Sequence, residues 1–119
     1  MTPFGEHMRK LRRERGVTQQ EMADAIGVSQ AYLSALEHGK RGQPSWPLLQ
    51  SITGYLNIIW DEAEALYRLA DLSHPKVTVD TSGASPKATL VANRIAGELG
   101  ELSEEQLDAV LDVMDENRT

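Results

Sequence analysis

The stretch from Thr18 to Leu36 constrains the fold more than any other part of the chain, because two helix starts and one helix stop fall inside it. Thr18 is followed three residues later by Glu21, the pattern of a capping box in which each side chain satisfies an N–H group at a helix start. Met22, Ala23 and Ile26 then share one face at helical spacing, and Gly27 is suited to end the helix with a positive φ. Ser29 is a second N-cap, and Leu33 and Leu36 set the inward face of a second helix. Only Gly27, Val28 and Ser29 separate the two.

Helices joined this tightly cross at a steep angle, and Ala23 is the small residue that lets the backbones approach. Met22, Ile26, Val28, Leu33 and Leu36 form the expected shared core. The spacing is that of a helix-turn-helix, whose second helix enters the major groove of DNA. At about 100° per residue, the outward face of that helix carries Ala31, Ser34, Ala35 and His38, with Gln30 and Tyr32 at its shoulders. None of these is acidic. Gln can bond adenine through two hydrogen bonds, Ala admits close approach to thymine methyls, and Ser can donate to several acceptors. The alternative is an αα-hairpin with a solvated polar face; the joint agreement of the small, glycine and apolar positions favours the DNA-reading unit.

A net charge of −6 argues against DNA until the chain is divided. Residues 1–45 hold seven Lys/Arg and five Asp/Glu, and residues 46–119 hold five and thirteen, so the first part is basic and the second acidic. Phosphate contact depends on the local field. The 119 residues, 40% of them hydrophobic, suit one compact domain and an appendage. With no cysteine, disulfides, cysteine-type zinc sites and thiol catalysis are excluded, in keeping with a reducing compartment. No apolar run approaches the roughly 20 residues that span a bilayer, and the first residues lack a signal-peptide apolar region. A cytoplasmic protein without membrane contact is expected.

Ahead of the two-helix unit, Phe4, Met8 and Leu11 predict a first helix from about Phe4 to Arg15, stopped by Gly16. Arg12 and Glu37 each lie one residue past a core position, which would let them meet as a partly buried pair. Behind the unit, Gly39 is a natural C-cap and Gly39 to Gly42 a flexible basic loop. Ser45 is expected to cap a fourth helix with Pro47 in its first turn and Leu48, Leu49, Ile52, Tyr55 and Leu56 inward. Trp46 either covers that helix start or stacks on the DNA backbone. Asp61 is expected to cap a fifth helix built on Ala63, Leu66, Tyr67 and Ala70.

Arg9-x-x-Arg12, Val17 to Ala23, Ile26 to Ser29, Tyr32-Leu33-Ser34-x-Leu36 to Arg41 and Pro44-Ser45 together resemble the phage-repressor/Cro family, also called the xenobiotic-response-element (XRE) family. The resemblance covers about Phe4 to Leu72. It implies an all-α, five-helix, lambda-repressor-like domain that binds operator DNA as a dimer, and so a transcriptional regulator. It also implies base contacts from Gln30, Ala31, Ser34 and Ala35, and phosphate contacts from Ser29, Tyr32, Lys40, Arg41 and Gln43. The glutamine at the place of Gln19 bonds a phosphate or braces the reading helix, and Arg12 and Glu37 form a structural ion pair. His38 is a departure, standing where the family usually has Asn.

The organisation expected is a DNA-binding domain over residues 1–72, a linker over 73–87 and a C-terminal helical hairpin over 88–119. Val77-Thr78-Val79 reads as a short extended piece within the linker. Leu90, Val91, Ile95 and Leu99, then Leu107, Val110, Leu111 and Met114, mark two amphipathic helices broken at Gly100, the second opening with Ser103-Glu104-Glu105-Gln106 as a capping box. Such helices cannot bury their faces alone. They pack on their own chain or on a second copy, and eight acidic residues between Glu98 and Glu116 keep them from DNA. A homodimer would set two reading helices about 34 Å apart, or a multiple of that, on a near-palindromic operator. No catalytic constellation, metal-ligand spacing or cofactor motif is present, so an enzyme is not expected. The rival is a protein-interaction module, such as an antitoxin or co-regulator, using the acidic C-terminal segment and binding DNA secondarily.

Overall fold

The computed structural model describes residues 1–118, and every regular element among them is helical. The chain divides into two compact units, Met1–Val77 and Thr78–Thr119. The first holds α1 (Pro3–Arg15), α2 (Gln19–Ile26), α3 (Gln30–Glu37), α4 (Trp46–Tyr55) and α5 (Asp61–Asp71). The second holds α6 (Pro86–Glu98), a 3₁₀ turn (Leu99–Glu101) and α7 (Glu104–Glu116).

The helix starts of the first unit are written in its caps. The hydroxyls of Thr2, Thr18, Ser29 and Ser45 each accept a hydrogen bond from an N–H in the first turn of the following helix, and Thr18 with Glu21 completes the capping box. Arg12, Arg13 and Arg15 lie in the last turn of α1, where positive charge complements the helix dipole. Arg15 also donates from Nε to the carbonyl of Leu56, which caps α4, at 2.9 Å. Phe4, Met8, Met22, Leu33, Leu36, Ile52, Leu56 and Leu66 are all under 3% exposed and form one core shared by α1 to α5. Each such side chain contributes roughly 1.5–3 kcal/mol through burial.

Ala23 is fully buried where α2 meets α3, as its size requires. A second close approach involves Gly5. A methyl group there would stand 2.0 Å from the carbonyl oxygen of Glu37, so α1 crosses the end of α3 with no room for a side chain. Ser73 provides another fastening. Its hydroxyl accepts from the N–H of Phe4 at 2.9 Å and donates to the carbonyl of Leu69 at 2.5 Å. The first unit thus runs to Val77, past the boundary at residue 72 expected from composition.

Asp61 does not cap α5. The cap residue is Trp60, at φ 57° and ψ −127°, with no side-chain hydrogen bond to the helix start. Asn57 and Trp60 both have positive φ, and this turn delivers Asp61 already in helical conformation. Its carboxylate therefore acts in the first turn, with Glu62 and Glu64, on the positive end of the helix dipole. Trp46 packs on Tyr67, ring centroids 4.7 Å apart and planes tilted by 56°, while remaining 55% exposed.

Val77 to Val79, where the first unit ends and the second begins, form no strand, since no described segment pairs with them. Asp80 instead accepts from the N–H and hydroxyl of Ser82, which hold its carboxyl below the ordinary value. Pro86, read as linker, is the first residue of α6: its missing N–H is harmless at that position, and Ser85 caps the helix. Ser103 and Gln106 form the capping box of α7. No side chain of either helix is fully buried, and Leu90, Val91, Leu111 and Met114 are half-exposed or more, with Leu99 of the 3₁₀ turn exposed as well. Arg94 forms a two-bond ion pair with Glu98 and, through these bonds first and its charge second, holds that carboxyl below the usual value.

Candidate nucleic-acid interface

α3 is held by its ends and one buried stripe. At its start the Ser29 hydroxyl accepts from the N–H of Tyr32 at 3.0 Å, which caps the helix. At its finish, Gly39 adopts φ 80°; its N–H bonds the carbonyl of Leu36 at 3.1 Å and that of Lys40 bonds Ala35 at 2.9 Å. These two bonds define a Schellman turn, which stops the helix and swings Lys40 and Arg41 out beside it. Leu33, Leu36 and Glu37 face inward, whereas Gln30, Ala31 and His38 are exposed and Tyr32, Ser34 and Ala35 partly so.

Glu37 is the only acidic residue of α3, and it is fully buried. Both nitrogens of the Arg12 guanidinium fork bond its two carboxylate oxygens, Nη2 to Oε1 at 3.1 Å and Nη1 to Oε2. Its carbonyl accepts from the N–H and the hydroxyl of Thr2. Neutralising this carboxylate inside the core leaves the outward face of α3 without negative charge, which favours the approach of phosphates.

A line of side chains leads from this pair to the surface. Gln19 Nε2 donates to Glu37 Oε1 at 3.2 Å, and Gln19 Oε1 accepts from Gln30 Nε2 at 3.4 Å. Gln19 is thereby in a bracing position, with one N–H left over. Gln30 keeps its carbonyl oxygen and its second N–H, the acceptor and donor that pair with N6 and N7 of adenine. The resemblance implied that Gln19 bonds a phosphate or braces the reading helix; Gln30 as its partner was not signalled, because it depends on how α2 crosses α3.

The remaining expected positions are placed as follows. Ser34 and Ala35 stand one turn past Gln30 and Ala31 on the same face. The Arg41 guanidinium lies over the Tyr32 ring, 5.7 Å from its centroid, which holds the arginine beside α3. Lys40 is exposed. Gln43 is engaged elsewhere, donating to Asp71 at the end of α5 at 2.8 Å, so a phosphate contact would have to displace that bond beside a carboxylate. His38 bonds the carbonyl of Ser34 through Nδ1 at 2.8 Å, capping the helix end with its ring.

Residues 3–74 match a family described as a helix-turn-helix domain, a match that spans α1 to α5 and the outward face of α3 just described. The chain belongs to the helix-turn-helix transcriptional regulators. Members of this family bind DNA to control transcription and are not enzymes. The chain is 32% identical over 116 residues to the uncharacterized HTH-type transcriptional regulator YqaE of Bacillus subtilis (strain 168), covering 95% of this chain and 90% of the relative. It is 35% identical over 65 residues to the uncharacterized regulator RghRB and 39% identical over 61 residues to the transcriptional repressor RghR, both of the same organism. These two matches cover 55% and 51% of this chain, and the chain spans about half of each relative, 47% and 45%. Among the described residues no helix is long and apolar enough to cross a membrane.

Proposed function

We propose that this helix-turn-helix regulator is a dimeric repressor that reads the major groove of a near-palindromic operator with the outward face of α3. Gln30, Ala31, Ser34 and Ala35 meet base edges; Ser29, Tyr32, Lys40 and Arg41 meet phosphates; Gln19 braces Gln30 and can also reach a phosphate. Gln43 reaches a phosphate only by leaving Asp71. The observation that carries the reading is the burial of Glu37 against Arg12, which strips the face of negative charge and supports the Gln19–Gln30 pair. The repressor direction is taken from RghR, which is named a transcriptional repressor. Such a protein acts in the cytoplasm, where its DNA lies.

The apolar residues exposed along α6 and α7 support dimerisation through the C-terminal unit, two copies covering one another's faces and spacing the reading helices on two half-sites. The same exposure favours a second reading, in which this acidic segment takes a different protein partner. Sedimentation separates the two: a dimer of the full chain that becomes a monomer when the chain ends at Asp80 supports the first, and a monomer in both cases the second.

Gel-shift titration against the region upstream of its own gene, at two salt concentrations, tests the DNA reading. Several phosphate contacts make binding fall steeply with salt. A preference for the upstream region over scrambled duplex is expected, and equal affinity for both would sink the operator reading.

A further inference from the structure

The segment that follows α5 was expected to be linker, yet it is fixed in place. Ser73 is bonded to Phe4 and Leu69, and Pro75 packs on the turn that ends α3, its ring carbons 3.5 and 3.6 Å from where a substituent on Gly39 would stand. This brings His74 and Lys76 beside His38 and Lys40, and the four line one open groove of about 700 Å³. No residue lining the groove is acidic. A second groove, between α1 and α5, differs: there Lys10 and Arg15 are offset by Glu14 and Glu62.

We infer that this groove is an anion site that seats a backbone phosphate of the bound duplex, with Lys76 and Lys40 as its two ammonium ligands. The inference rests on the DNA face proposed above. Its support is continuity: Lys40 leaves the Schellman turn directly after the reading helix, so a strand entering past α3 meets Lys40 and then the groove that Lys76 also lines. An ammonium is a compact, mobile point charge suited to a phosphate whose exact register shifts from site to site. His38, tied through Nδ1 to the Ser34 carbonyl, and His74 form the walls. The recognition surface thereby extends past α5 to residues far from the helix-turn-helix in sequence.

Phosphate contacts are independent of base sequence, so the test needs no operator. Fluorescence anisotropy of the full chain on a labelled mixed-sequence duplex of about two helical turns gives the slope of log affinity against log salt. Lys76→Gln should make that slope shallower by about one, Lys40→Gln by a similar amount, and Lys76→Arg should restore it. Lys10→Gln removes the same charge from the other groove and should leave the slope unchanged. A Lys76→Gln slope equal to wild type, with Lys40→Gln and Arg41→Gln both shallower, would overturn the groove and leave the DNA face standing. Equal losses for Lys76→Gln and Lys10→Gln would overturn it as well, as a general charge effect. No salt-dependent binding by the wild-type chain would remove the DNA face and the groove together.

Discussion

Arg12 and Glu37, 25 residues apart, meet in the core as a doubly hydrogen-bonded ion pair, with side chains 8% and 0% exposed. The pair joins α1 to α3 and, through Gln19, carries its order to Gln30 at the surface. Glu37→Ala would strand a guanidinium in the core and should lower stability by about 3–5 kcal/mol in urea denaturation. The double change Arg12→Met with Glu37→Leu should come close to wild-type stability, because neither charge is left unpaired. It should still weaken DNA recognition, since Gln19 loses its anchor. A double variant as unstable as the single one would show that the pair itself supplies the stability.

Gly5 and the carbonyl of Glu37 approach so closely that Gly5→Ala needs the two helices to move apart. Overpacking of this kind costs about 1–3 kcal/mol, and more where the neighbour is backbone. Thermal unfolding should show a clear drop in midpoint. A midpoint at or above that of the wild type, as expected for a helical Gly→Ala change without a clash, would mean that α1 and α3 are not this close.

Much of this was legible in the residues themselves. Capping boxes, glycine stops and apolar spacing are local patterns, and α2, α3 and the turn between them follow from Thr18, Glu21, Gly27, Ser29 and the leucines. The apolar residues of α4 and α5 were equally readable. What escaped depends on tertiary placement. Asp61 has the chemistry of a cap but arrives already helical, because the positive φ of Trp60 turns the chain one residue earlier. Gly5 carries no signal until α3 is laid across it. Ser73 and Pro75 have the composition of a linker and are held only because Phe4, Leu69 and Gly39 lie beside them. The face of α3 followed from helical geometry, and a bracing role for Gln19 from the resemblance; that Gln30 is its partner did not, since it needs the crossing of two helices.

Ser73→Ala tests that fastening. It leaves the N–H of Phe4 without its acceptor in a buried position, a loss of about 1–3 kcal/mol. Amide exchange of the first turn of α1 should quicken more than that of α3. Unchanged protection at Phe4 would show that the segment after α5 is not bound there.

The central claim is that Gln30 and its neighbours on α3 read bases, and selection of bound sequences from a randomised duplex pool tests it most directly. The wild-type chain should enrich two related half-sites about 34 Å apart, or a multiple of that. Gln30→Ala should lose about 1–3 kcal/mol of discrimination at a subset of positions, while the salt dependence set by phosphates stays as it was. An identical motif from both chains, or none from the wild type, would contradict the assignment of α3 as the reading helix.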